Sequence, residues 1–118
     1  MDLQSNINGF LDLLKKGQMM DAFEKYYADE VVMQENTEPP RVGKAKNREY
    51  QQEFMSTVEA VHDSQVKHVA VNPSENVAMI QSYMDVTLKG QGRVKMEEVA
   101  VQTWKGDKIV QEQFFYKM

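Results

Sequence analysis

Ile7, Phe10, Leu11 and Leu14 recur with the spacing i, i+3, i+4, i+7, which lays one apolar stripe along a helix over about residues 3–16. Lys15 and Lys16 suit the last turn of that helix, and Gly17 suits the position just past it. Met20, Phe23 and Tyr27 mark one side of a second short helix over about 19–27. Glu30-Val31-Val32-Met33-Gln34-Glu35-Asn36 then reads as a strand with Val31, Met33 and Glu35 on one face. Pro39 and Pro40 exclude both helix interior and central strand, so 37–42 is a loop. After Gly43, the positions Ala45, Tyr50, Phe54, Val58 and Val61 keep helical spacing and predict a third helix over about 44–61.

Beyond that helix the apolar period drops to two. Strands are expected over 65–71, 77–89, 93–104 and 109–116. Asn72-Pro73-Ser74-Glu75-Asn76, Gly90-Gln91-Gly92 and Lys105-Gly106-Asp107-Lys108 supply the turns between them. Tight turns make the sheet mainly antiparallel. A strongly bent sheet wrapped around helices is the natural α+β outcome.

The first hairpin has a register that burial dictates. Ala78, Ile80, Met84, Val86 and Leu88 share a face with Ser82; Val94, Met96, Glu98, Ala100, Gln102 and Trp104 share another. A three-residue turn over Gly90-Gln91-Gly92 brings these faces together, with Leu88 opposite Val94 and Val86 opposite Met96. Asp85 and Lys95 then pair on the solvent side. The same alternation puts Glu98 and Gln102 among apolar residues, and puts Glu112 with Val110, Phe114 and Tyr116.

Three acids therefore point toward one concavity: Glu35, Glu98 and Glu112. A carboxylate on a core-facing side is costly unless paired, and burial lifts its pKa toward the range of a general base. Glu35 is a pocket carboxylate or a structural one held by Arg41 or a backbone amide. Glu98 and Glu112 are pocket acids or edge-exposed, salt-bridged ones. If two converge, their like charges make an acid/base pair.

The chain has 118 residues, 42% hydrophobic and 27% charged, a balance that predicts one soluble globular domain. The net charge of −4 argues against a nucleic-acid partner. Arg41, Lys44, Lys46 and Arg48 form one basic cluster, either a solvated face or an anion-contacting rim. No apolar run is long enough for a bilayer, and the start lacks the order of a signal peptide, so a cytoplasmic location is the default. There is no cysteine, and His62 and His68 lack metal-ligand spacing, so no metal and no cofactor are expected. His68, on a face with Val66 and Ala70, is expected to be a core histidine.

Tyr27-Ala28-Asp29-Glu30-Val31-Val32, Pro39-Pro40-Arg41-Val42-Gly43 and Trp104-Lys105-Gly106-Asp107-Lys108-Ile109 together resemble the nuclear transport factor 2-like superfamily. The SnoaL-like and ketosteroid-isomerase-like members are the nearer kin. The resemblance covers the whole chain and implies a single domain over 1–118, a cone-shaped sheet packed with three helices (cystatin-like), and a homodimer through the sheet. It places the isomerases' general base on Glu35. It places their two oxyanion donors on Phe10 and Ala100, neither of which can donate a hydrogen bond, so steroid isomerisation is not expected.

The expected function is binding of a small, largely apolar or amphipathic molecule. Phe10, Tyr50, Phe54, Met84, Val86, Met96, Ala100, Phe114 and Tyr116 would form the walls. Glu35 is the candidate base for isomerase, cyclase or lyase chemistry, and Glu98, Gln102 and Glu112 are its polar partners. The alternative is a non-catalytic ligand carrier or a dimerisation module.

Overall fold

The computed structural model describes residues 2–117. Helix α1 (Leu3–Lys15) starts where the Asp2 carboxylate accepts a hydrogen bond from the Ser5 amide at 2.8 Å. It stops in a Schellman turn: the Gly17 amide donates to the Leu14 carbonyl at 3.0 Å and the Gln18 amide to that of Leu13 at 2.9 Å. Gly17 takes the left-handed conformation this turn requires, with φ of 74°. Helix α2 (Met19–Tyr26) runs straight into strand β1 (Tyr27–Glu35). A two-residue strand β2 (Arg41–Val42) and helix α3 (Lys44–Thr57) precede the meander β3 (Val58–Asn72), β4 (Val77–Leu88), β5 (Gly92–Lys105) and β6 (Lys108–Tyr116).

The six strands form one sheet in the order β2-β1-β6-β5-β4-β3. Only β1 and β6 run parallel; the other neighbours are antiparallel. This is the expected α+β cone, a curved sheet that does not close. Helices α1 and α2 cover one end of its concave face. Ile7, Phe10, Ala22, Phe23 and Tyr26 pack there on Val31, Met33, Ala78, Ile80, Trp104 and Ile109. Phe10 meets the rings of Tyr26 and Trp104 edge-on, at 5.9 and 6.2 Å between centroids.

Four local expectations need correction. The third helix ends at Thr57, and residues from Val58 onward are already strand. The loop after Glu35 contains β2, which pairs Met33 with Arg41 and Val32 with Val42. The hairpin register differs by two residues: Leu88 faces Gly92, Val86 faces Val94 and Met84 faces Met96, while Asp85 does face Lys95. The even shift keeps both apolar faces together, so burial alone could not separate the two registers. The Asp85 carboxylate pairs instead with Arg93, at 3.0 and 2.9 Å, and that guanidinium holds its pKa below the usual value. His68 is exposed, because a bulge between Val66 and His68 breaks the alternation that would have turned it inward.

Candidate functional site

The sheet register stacks the concave face in rows. One row runs Ala78, Gln102, Glu112, Met33; the next runs Ile80, Ala100, Phe114, Glu35; the next Ser82, Glu98, Tyr116; then Met84 and Met96. Successive rows lie about 7 Å apart along a strand. The first row is buried against α1 and α2, with Gln102 and Glu112 at the floor of a cavity of about 370 Å³ that the other rows face. Glu35, Glu98, Glu112 and Gln102 all line it, as do Phe10, Tyr50, Phe54, Met84, Met96, Ala100, Phe114 and Tyr116. Val86 is the exception. It is fully buried, but it sits a row beyond Met84, opposite Val94, and outside the cavity lining.

The three acids have different surroundings. Glu35 is tied down: its Oε2 accepts from the Arg41 guanidinium at 2.9 Å and its Oε1 from the Tyr116 hydroxyl at 3.2 Å. Arg41 is fixed in turn by the Asn47 Oδ1 at 3.0 Å and lies 3.6 Å over the Tyr50 ring. Asn47 is fully buried, and its Nδ2 donates to the carbonyls of Arg41 (3.1 Å) and Gly43 (2.8 Å). This clasp joins the loop to the first turn of α3. Of the other basic residues, Lys44 and Arg48 both pair with Glu24.

Glu112 is the floor of the cavity. It accepts hydrogen bonds from the Tyr27 hydroxyl and from Gln102 Nε2, the latter at 2.7 Å. Trp104 Nε1 donates to Gln102 Oε1 at 3.1 Å and so fixes which end of that amide faces Glu112. Burial lifts the Glu112 pKa to about 7, against the pull of its two donors. Burial also raises the Tyr27 hydroxyl, with the Glu112 charge adding to it. Sequence periodicity had used Tyr27 only as a helix residue. Its role comes from the junction where α2 becomes β1, which no spacing rule marks. Trp104 beside Gln102 was readable, since they sit two apart on one strand face.

Glu98 differs from both. It is half-buried in the cavity wall between Ser82 and Tyr116, and it makes no hydrogen bond or ion pair among the described residues. Burial, with the Glu35 charge adding to it, lifts its pKa to about 7. No hydrogen bond joins any two of the three acids among the described residues, and no cluster there of three or more His, Cys, Asp or Glu could hold a metal ion. Around the cavity rim, Tyr50, Met55 and Val61 stand exposed. A second groove, of about 440 Å³, crosses Asp29, Glu30, Lys44, Lys105 and Lys108. It is shallow and polar, and the amines of Lys44 and Lys108 already bond backbone carbonyls of α2.

Comparison with known proteins agrees with this architecture. A candidate SnoaL-like polyketide cyclase [carbohydrate phosphatase] from Mesorhizobium loti superposes with a TM-score of 0.89 at 34% identity, covering 98% of this chain and 100% of that one. A candidate polyketide cyclase from Pseudomonas putida superposes at 0.78 with 17% identity, covering 100% and 93%. A candidate isomerase from Bacillus subtilis superposes at 0.77 with 13% identity, covering 96% and 84%. No match was found among curated proteins. No helix among the described residues is long and apolar enough to cross a membrane. The model of the SnoaL-like domain matches residues 1–116, and the chain belongs to that family.

Proposed function

We propose that this SnoaL-like domain binds a small, largely apolar molecule in the concave cavity and moves a proton with Glu98, in chemistry of the isomerase, cyclase or lyase kind. The observation that supports it is the unpartnered Glu98 carboxyl on an aromatic and methionine-lined wall. A carboxyl with a pKa of about 7 is present in both forms at neutral pH, which is what a general acid or base needs. Glu35, where the resemblance to the isomerases places a base, has its carboxylate committed to Arg41 and Tyr116. Phe10 and Ala100 line the cavity without a donor, so a dienolate would find no stabilisation from them.

The test starts from native mass spectrometry of protein purified from its own host, to identify a co-purifying small molecule. Turnover of that molecule by Glu98→Gln is expected to fall by about 10²-fold or more, and Glu35→Gln is expected to retain most of it. If Glu98→Gln turns over normally while Glu35→Gln is inactive, the base is Glu35. A second reading, a non-catalytic carrier, is favoured by the Glu35–Arg41 ion pair; it holds if the ligand binds and neither variant changes its fate.

We also propose that two copies meet through the outer face of the sheet. Met79, Val99, Val101 and Phe115 are cross-strand neighbours there, and Met79 and Phe115 are 47% and 43% exposed.

A further inference from the structure

Beside the cavity, the Arg41 guanidinium donates to the Glu35 carboxylate at 2.9 Å and lies over the Tyr50 ring at 3.6 Å from its centroid. A carboxylate together with an aromatic face is a good seat for a weakly hydrated cation. One row further along the concave face a carboxylate and an aromatic residue stand together again: Glu98 beside Tyr116, with Phe54, Met84 and Met96 also in the lining.

The charges around Glu98 can be counted element by element. From α1 comes Lys15, exposed at the rim; from β1, Tyr27 and Glu35; from α3, Tyr50; from β4, Tyr83; from β6, Glu112 and Tyr116. Arg41 is paired with Glu35, yet the Glu35 charge still acts on Glu98. Inside the cavity that leaves Glu98 and Glu112 with no cation of their own. An anionic ligand would meet two carboxylates, with no cation among the inner lining residues to offset them. A neutral ligand would leave the Glu98 charge desolvated. A ligand with a positive charge replaces the water that Glu98 lost and offsets the repulsion from Glu35.

We propose that the cavity selects an apolar ligand bearing a positively charged nitrogen, seated on Glu98 and the Tyr116 ring. This rests on the small-molecule pocket proposed above and names the chemical class it takes.

The test uses two probes of one shape: benzyltrimethylammonium, a permanent cation, and neopentylbenzene, its neutral carbon isostere. Affinity is read from the Met84 and Met96 methyl signals by NMR in the full chain. The ammonium is expected to bind at least about tenfold more tightly than the neutral probe at pH 8. Its affinity is expected to weaken about tenfold between pH 8 and pH 6, as Glu98 takes up its proton. Glu98→Gln is expected to erase both effects while the neutral probe still binds, whereas Glu97→Gln, on the outward face of the same strand, keeps both. Equal or tighter binding of neopentylbenzene to the wild-type chain overturns the inference and leaves the apolar pocket intact. If neither probe moves the methyl signals, the pocket reading fails and this inference fails with it.

Discussion

A carboxyl group at the floor of a protein core, such as Glu112, is stabilised or destabilised by pH according to which state holds its proton. Its folded pKa is about 7, against an ordinary value of 4.5. Between those values the folded chain keeps a proton that the unfolded chain releases. The stability this contributes is fully present below about pH 4.5 and is lost as pH rises through about 7. Glu98 acts in the same sense over the same window. Unfolding by urea is therefore expected to show less stability at pH 8 than at pH 5, with Glu112 contributing on the order of 2 kcal/mol. Glu112→Gln removes the titrating group and keeps an acceptor for Gln102, while its amide nitrogen can donate to the Tyr27 oxygen. It should reduce the fall, and Glu98→Gln with Glu112→Gln should nearly flatten it; a wild-type curve that rises from pH 5 to 8 would contradict this. Arg41 obeys a simpler rule. Both its side chain and that of Glu35 are only 12% exposed. Arg41→Ala strands the Glu35 charge and is expected to cost about 3 kcal/mol. Adding Glu35→Gln should recover part of that loss in the same urea assay.

At the scale of elements, α3 sets the shape of the cavity mouth, and Gly43 sets α3. Gly43 has φ of 97° and ψ of 145°, a conformation that residues with a Cβ strongly avoid. Its amide donates to the Val31 carbonyl at 2.8 Å, and its carbonyl accepts from Asn47 Nδ2 at 2.8 Å. A Cβ here would meet nothing within 4 Å, so the penalty is conformational, not steric. Gly43→Ala is expected to cost about 1–3 kcal/mol. It is also expected to weaken binding of an apolar probe, because Tyr50 and Phe54 ride on α3. A stability change with unaltered probe affinity would show that α3 does not position the wall. These elements were legible in the sequence to different degrees. Gly17, Pro39 and Pro40 marked their breaks because each restricts the backbone locally. Glu98, Gln102 and Glu112 were legible because alternation fixes a strand face regardless of register errors of two. The end of α3 was not, since Val58 and Val61 fit both a helical spacing from Phe54 and a β-branched strand. The pairing of Glu35 with Arg41 was legible only as one of two readings, because it depends on β2 folding the loop back so that Arg41 lies beside Met33.

For the whole molecule, the alternation along β5 separates two tasks. Glu98 and Ala100 face the cavity, while Val99 and Val101 face outward with Met79 and Phe115. The described helices pack on the concave side, with α1 and α2 against the buried core. A half-exposed apolar strip across three central strands would be covered by the same strip on a second copy, as an isologous contact requires. Sedimentation at high micromolar concentration is expected to show a dimer, and a monomer there would end the proposal. Phe115→Glu places a charge at the β6 end of the strip, opposite Val99, and is expected to weaken association by about tenfold or more. Because Phe115 points away from the cavity, that variant should bind the ammonium probe within about threefold of wild type. A larger loss would mean that the second copy braces β5 from behind, and that the cavity reaches its full shape only in the dimer.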